Sequence, residues 1–134
     1  MASPMFAPIS DELNALSKVI LDCAIKVHRE LGPGLLETTY RLCLSHELKK
    51  AGLRIESEVL LPVRYDGVVL EGGYRIDLLV NDQIILELKA VDDLLAVHQA
   101  QLRSYLKHSG KRLGLLLNFN SVLLKDGIRR VICG

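Results

Sequence analysis

Tryptophan is absent, and aromatic residues make up only 4% of a chain of 134 residues. With 49% hydrophobic content, the interior must therefore be aliphatic, built from Leu, Ile and Val. Cysteine is also scarce. Cys23, Cys43 and Cys133 are odd in number and far apart, which fits neither a disulfide framework nor a zinc site and leaves reduced thiols with no chemistry assigned. His28, His46 and His108 show no ligand spacing, a second argument against zinc. No apolar run approaches the roughly 18 residues that span a bilayer, and the N-terminus lacks the features of a signal peptide. A cytoplasmic location without membrane contact is expected. A GxxxxGK[ST] phosphate loop is missing too, so hydrolysis of a small phosphate ester has no support.

Excess charge of either sign is likewise absent. A net charge of +1 excludes a strongly basic nucleic-acid coat protein. The distribution is uneven, however. Residues 1–102 hold 10 Lys and Arg against 15 Asp and Glu, a balance of −5, and residues 103–134 hold 7 against 1, a balance of +6. Lys107, Lys111, Arg112, Lys125, Arg129 and Arg130 could line one side of a phosphate-binding surface, or form a plain solvated face.

The length suits one domain over residues 9–134, after a flexible lead-in at residues 1–8 that contains Pro4 and Pro8. Ser10 offers an N-cap to a helix whose apolar stripe runs through Leu13, Leu16, Val19, Ile20, Cys23, Ala24, Val27 and Leu31. Gly32-Pro33-Gly34 stops it. A second helix is predicted from about Leu35 to Lys50, with Tyr40, Cys43, Leu44 and Leu48 buried. Strands follow at "RIESEVLLPVRY", "YRIDLLV" and "IILELKAV", the first two joined by an Asp66-Gly67 turn. A third helix is expected from Asp92-Asp93 through His108, then strands at "LGLLLNF" and "IRRVI". The order ααβββαββ implies an α/β fold with a mixed sheet and helices packed on it.

The strand "IILELKAV" poses the chemical question. It is apolar on both faces, yet Glu87 and Lys89 share one face, because strand side chains alternate. An unpaired buried charge is costly, so the two form either a self-neutralising bridge or a site that a metal or substrate completes. The neighbouring strand carries Asp77 in an equally apolar setting. A two-residue connection around Asn81-Asp82 would put Asp77 and Glu87 on opposite faces. A three-residue connection, Asn81 to Gln83, puts them side by side, and this is the register expected. Two adjacent carboxylates repel unless a cation lies between them, and hard oxygen donors suit Mg²⁺ or Mn²⁺. Lys89 would then help orient or deprotonate a water.

Asp77, nine residues and then Glu87-Leu88-Lys89 resembles the active-site signature of the PD-(D/E)xK nuclease superfamily, although Ile76 stands where a Pro can precede the Asp. The predicted order resembles that superfamily's restriction-endonuclease-like αβββαβ core, with an extra N-terminal helix and a C-terminal strand. Gln101 to Tyr105 resembles the QxxxY motif of RecB-type nuclease domains. Gly34, Glu37 and Tyr40 resemble the motif of the GxxExxY proteins, a branch of the same superfamily. The resemblance implies Asp77, Glu87, the Leu88 carbonyl and Glu37 as metal ligands, Lys89 serving the water, and Gln101 and Tyr105 holding Lys89 or a phosphate. Tyr40 would stand near the substrate. It further implies a Mg²⁺-dependent nuclease, expected to act on DNA. With so few basic residues, contact with few phosphates or a homodimer would follow. A non-catalytic nucleic-acid-binding or regulatory module that keeps the fold is the other reading. Without the resemblance, Glu37 reads as a first-turn acid, Tyr40 and Tyr105 as core residues, Gln101 as a surface amide and His98 as structural.

Overall fold

The structure, a computed structural model, describes residues 8–134, so the expected lead-in lies, apart from Pro8, outside the described residues. Helix α1 spans Asp11–Leu31 and starts where expected, with Ser10 Oγ accepting from the Leu13 N–H at 3.1 Å. Leu16, Ile20, Ala24 and Val27 form its buried stripe. Val19 and Leu31, expected in that stripe, are exposed, and Ser17 and His28 are buried instead. Helix α2 spans Glu37–Lys50, two residues shorter than predicted, and buries Tyr40, Leu44 and Leu48, with Cys43 only partly covered.

Strands β1 (Ile55–Tyr65), β2 (Val68–Val80), β3 (Ile84–Lys89), β4 (Leu113–Asn118) and β5 (Ile128–Ile132) form one sheet in sequence order. Only β3 and β4 are parallel. The parallel pair needs a crossover, which α3 (Ala96–Ser109) supplies. Gly114 lets α3 approach, because a Cβ there would lie 2.7 Å from the Leu102 side chain. The fold is thus a mixed five-stranded sheet with α1 and α2 on one face and α3 on the other. The order contains the expected αβββαβ core, with α1 and β5 added.

Two elements differ from expectation. β2 begins at Val68 rather than Tyr74, extending the hairpin into an arm around Asp66-Gly67. α3 begins at Ala96 rather than at Asp92-Asp93. Asn118 exchanges hydrogen bonds with the Val91 backbone, 3.1 Å from its N–H and 2.8 Å to its carbonyl, and holds the chain off helix there. The helix starts where His98 Nδ1 accepts from the Leu95 N–H at 2.9 Å.

The sheet is irregular at Asp77. Leu78 and Val80 pack into the core under α1 and α2, whereas Ile76 packs into the core under α3. Residues two apart on a regular strand share a face, so β2 changes face here. Across from it on β1, Ser57 pairs with Leu78 and Val59 with Ile76, and Glu58 between them has a left-handed φ of 53°. Such local breaks in a ladder bend and twist a strand and re-aim its side chains.

Candidate active site

The hairpin connection between β2 and β3 is the three-residue one. Val80 faces Ile84, and the Gln83 N–H donates to the Val80 carbonyl at 2.9 Å. Counting along the strands places Asp77 beside Glu87, but the ladder stops at Leu78 and Leu86. Beyond that point side chains replace the ladder bonds. The Asp77 N–H donates to Glu87 Oε1 at 3.1 Å, and the Leu88 N–H donates to Asp77 Oδ2 at 2.8 Å. The β2–β3 ladder ends there, and this notch between the two strands has a carboxylate on each side.

Glu87 is only 4% exposed. Burial first, and then the Asp77 charge, push its carboxyl up to about 9, so it is protonated at neutral pH when nothing else neutralises it. Lys89 opposes the rise without contact: it makes no ion pair among the described residues, so the Glu87–Lys89 bridge is not formed. Each carboxylate takes a backbone N–H on one oxygen, Glu87 on Oε1 and Asp77 on Oδ2. The two carboxyl groups also hydrogen-bond to each other, a contact that further favours the protonated form of Glu87.

The surroundings come from both helical layers. Glu37 stands in the first turn of α2, and its carboxyl is raised by the protein around it and by Asp77, with Lys89, Arg41 and Arg75 opposing. Tyr105, on α3, is buried with its ring edge-on to Tyr74 at 4.9 Å. Burial, then the charges of Glu87 and Asp77, push its hydroxyl up to about 12, so it stays a phenol. Gln101, one turn before Tyr105, is exposed and has no hydrogen-bond partner among the described residues.

The structure bears on three further expectations about the site. Among the described residues no three His, Cys, Asp or Glu side chains come together to hold a metal. Glu37 lies near enough to Asp77 for the two charges to interact. Tyr40 does not face a substrate: it is fully buried, stacked on Phe119 at 4.7 Å, and its hydroxyl donates to the Gly32 carbonyl at 2.6 Å while accepting from the Leu35 N–H at 3.1 Å. Its work is to close the Gly32–Leu36 loop, whose Gly34, at φ 99°, also donates its N–H to Asn120 Oδ1. Tyr40→Phe should therefore cost about 1–2 kcal/mol of stability, read as a lower urea midpoint; an unchanged midpoint would mean that the loop does not depend on the hydroxyl.

The third concerns the basic tail, whose residues do not gather into one patch, although Arg129 stands in the same cross-strand row as Glu87, with Leu116 between them. Lys111 pairs with Asp82 at 3.1 Å, and Arg112 donates to the Pro8 carbonyl, both at the Ile84 end of β3. Glu87 and Lys89 lie roughly 10 Å or more farther along that strand. Lys107 lies near the end of α3 that leads back to the same remote edge. Arg129 and Arg130 are consecutive in β5 and so point to opposite faces: Arg129 donates to the carbonyls of Asp126 and Ile128, and Arg130 to Asn14 of α1. Arg41 and Arg75, which the linear sequence did not single out, are the arginines whose charges bear on Glu37.

A comparison with protein families matches residues 14–131 to the PD-(D/E)XK nuclease superfamily. The chain belongs to that superfamily. No curated protein and no solved structure matches. Members of the PD-(D/E)XK superfamily generally use divalent metal ions. The donors here fit such an ion: two carboxylates side by side, in a notch where the unneutralised pair takes up a proton instead. Hard oxygen donors of this kind suit a hard divalent cation. No described helix is long and apolar enough to cross a membrane.

Proposed function

We propose that this PD-(D/E)XK domain is a metal-dependent nuclease that hydrolyses phosphodiester bonds, with DNA as its substrate and Mg²⁺ or Mn²⁺ as its cofactor. The observation that carries the reading is the pair Asp77 and Glu87, brought side by side where the ladder ends, each held by a backbone N–H and together favouring an extra proton. These two, with the Leu88 carbonyl, would hold the ion. When bound, such an ion lowers the pKa of a water and screens the charge of the attacked phosphodiester. Lys89 lies beside them without an ion-pair partner, so its amine is available to orient the attacking water and relay its proton. Tyr105 keeps its proton and can donate to a phosphate oxygen; Gln101 is placed on the solvent side of the same helix, where it can follow the substrate.

We assign the chain to the GxxExxY branch, supported by the unit that Gly34, Glu37 and Tyr40 form: a loop, the acid that leads off α2, and the hydroxyl that ties the loop shut. Glu37 then acts on the site through its charge or through a water. A homodimer would widen a surface poor in cations, and the exposed apolar hairpin arm of Tyr65, Val68, Val69 and Leu70 favours one. A non-catalytic nucleic-acid-binding module is the second reading, favoured by the protonated Glu87, which lets the notch exist without an ion. Metal-dependent cleavage of labelled DNA and RNA that is lost in Asp77→Asn establishes the first reading; tight nucleic-acid binding with no cleavage in Mg²⁺ or Mn²⁺ establishes the second.

A further inference from the structure

Two arginines that flank the notch meet at a single oxygen. Arg41 Nη2 lies 3.3 Å and Arg75 Nη1 3.7 Å from Glu58 Oε1. Each is anchored by an element that also carries a site acid. Arg41 is one turn beyond Glu37 on α2, and Arg75 is two residues before Asp77 on β2. The side chain of Arg41 is 18% exposed and that of Arg75 61%, so one guanidinium is set into the wall and the other reaches outward.

Glu58 occupies this position at a cost. It is a non-glycine residue with φ 53° inside β1, at the point where the ladder opposite Asp77 is broken. Left-handed backbone at such a residue is strained, and partly exposed ion pairs return little stability. Stability alone does not account for the arrangement. What it achieves is to bring one carboxylate oxygen between two guanidiniums, the geometry in which a phosphate oxygen is also gripped.

Resting on the reading of the notch as a nucleic-acid site, we propose that Arg41 and Arg75 form a clamp for a backbone phosphate of the strand that enters the notch, and that Glu58 stands in for that phosphate while the clamp is empty. Binding exchanges the Glu58 carboxylate for the phosphate. Glu58 thus holds the guanidiniums in position and also competes with the substrate. Its strained backbone weakens its hold. The clamp supplies a cationic grip beside the notch, and it fixes the strand by its phosphates rather than its bases, which gives no sequence preference.

The test is the affinity of the full chain for short labelled DNA, single-stranded and duplex, measured by fluorescence anisotropy in EDTA and in Ca²⁺ over a range of salt. Arg41→Ala and Arg75→Ala should each weaken binding about five- to tenfold at low salt, and each should reduce the slope of log K against log salt by about 0.7 to 0.9. Lys18→Ala, which removes a cation from the exposed side of α1, should change affinity less than twofold. Glu58→Gln should tighten binding several-fold, and this gain should vanish in the Arg41→Ala/Arg75→Ala background. A gain that persists there is a general charge effect and overturns the clamp, as does equal behaviour of the arginine variants and Lys18→Ala. If an arginine variant melts early, Glu58→Gln alone still decides, since unchanged or weaker binding contradicts competition by its carboxylate. Cleavage by the wild type together with unaltered binding by the arginine variants removes the clamp and leaves the nuclease; no binding of any nucleic acid by the wild type removes both.

Discussion

Glu87→Gln should make the metal-free protein more stable at pH 8 and destroy its response to Mg²⁺. The sign follows from the raised carboxyl. With an ordinary value of 4.5 and a folded value of about 9, Glu87 keeps in the native state a proton that the unfolded chain has already released. Its neutral form is fully tolerated below 4.5, and stability is lost as pH rises from there through about 9. Each unit of difference is worth about 1.4 kcal/mol, and the loss over that window should reach a few kcal/mol. Gln keeps the size and the acceptor but does not titrate. In EDTA the melting temperatures of wild type and Glu87→Gln should therefore coincide near pH 5 and diverge by several degrees by pH 8, with the variant higher. Millimolar Mg²⁺ should reverse the order, because only the wild type gains from ligand binding. The same linkage makes metal and proton competitors: apparent Mg²⁺ affinity should rise by about tenfold per pH unit below 9, with about one proton released, measurable by calorimetry in two buffers. A wild-type melting temperature flat with pH in EDTA would show that Glu87 is not the proton carrier.

The second large effect is on turnover, and it separates two roles within one face of the sheet. Asp77→Asn removes a carboxylate from the notch, so both Mg²⁺ binding and cleavage should disappear. Lys89→Ala leaves the carboxylates in place. It should retain Mg²⁺ binding and lose cleavage by about 10²- to 10⁴-fold, the range for removing a group that moves a proton in the transition state. Cleavage assays on single-stranded, duplex, flapped and branched substrates, paired with calorimetric titration of the metal, test both variants together. If Lys89→Ala loses metal binding as well, its amine is needed to assemble the notch and not for the water. If it cleaves at the wild-type rate, another group handles the proton.

The carboxylate pair was legible in the sequence because it rests on parity. Three residues between Val80 and Ile84 put Asp77 beside Glu87, and the apolar runs around both acids signalled strands covered on both sides. The change of face at Asp77 was not legible. It depends on Glu58, whose side chain gives no local sign of a left-handed backbone and whose partners, Arg41 and Arg75, come from separate elements. The start of α3 was misread because Asp92-Asp93 imitates a cap, while the bonds that hold that stretch come from Asn118, remote in sequence. Tyr40 was placed correctly in the buried stripe of α2 but given the wrong task, since only the folded loop brings the Gly32 carbonyl to its hydroxyl. The basic tail is spread out for a simple geometric reason: neighbours such as Arg129 and Arg130 diverge in a strand, and closeness in sequence is not closeness in space.

Where β2 and β3 part, the backbone N–H groups of Asp77 and Leu88 donate to each other's strand through side-chain carboxylates instead of ladder carbonyls. Their electronic environment therefore follows the charge on those carboxylates. Protonation of Glu87, its replacement by a cation, or closure of the strands would each alter these two amides while the ladder below, from Leu78 to Val80, stays as it is. The chain thus carries a pair of adjacent spectroscopic reporters in its main chain, readable by amide chemical shift or hydrogen exchange, whose response registers what fills the notch without any label and without turnover.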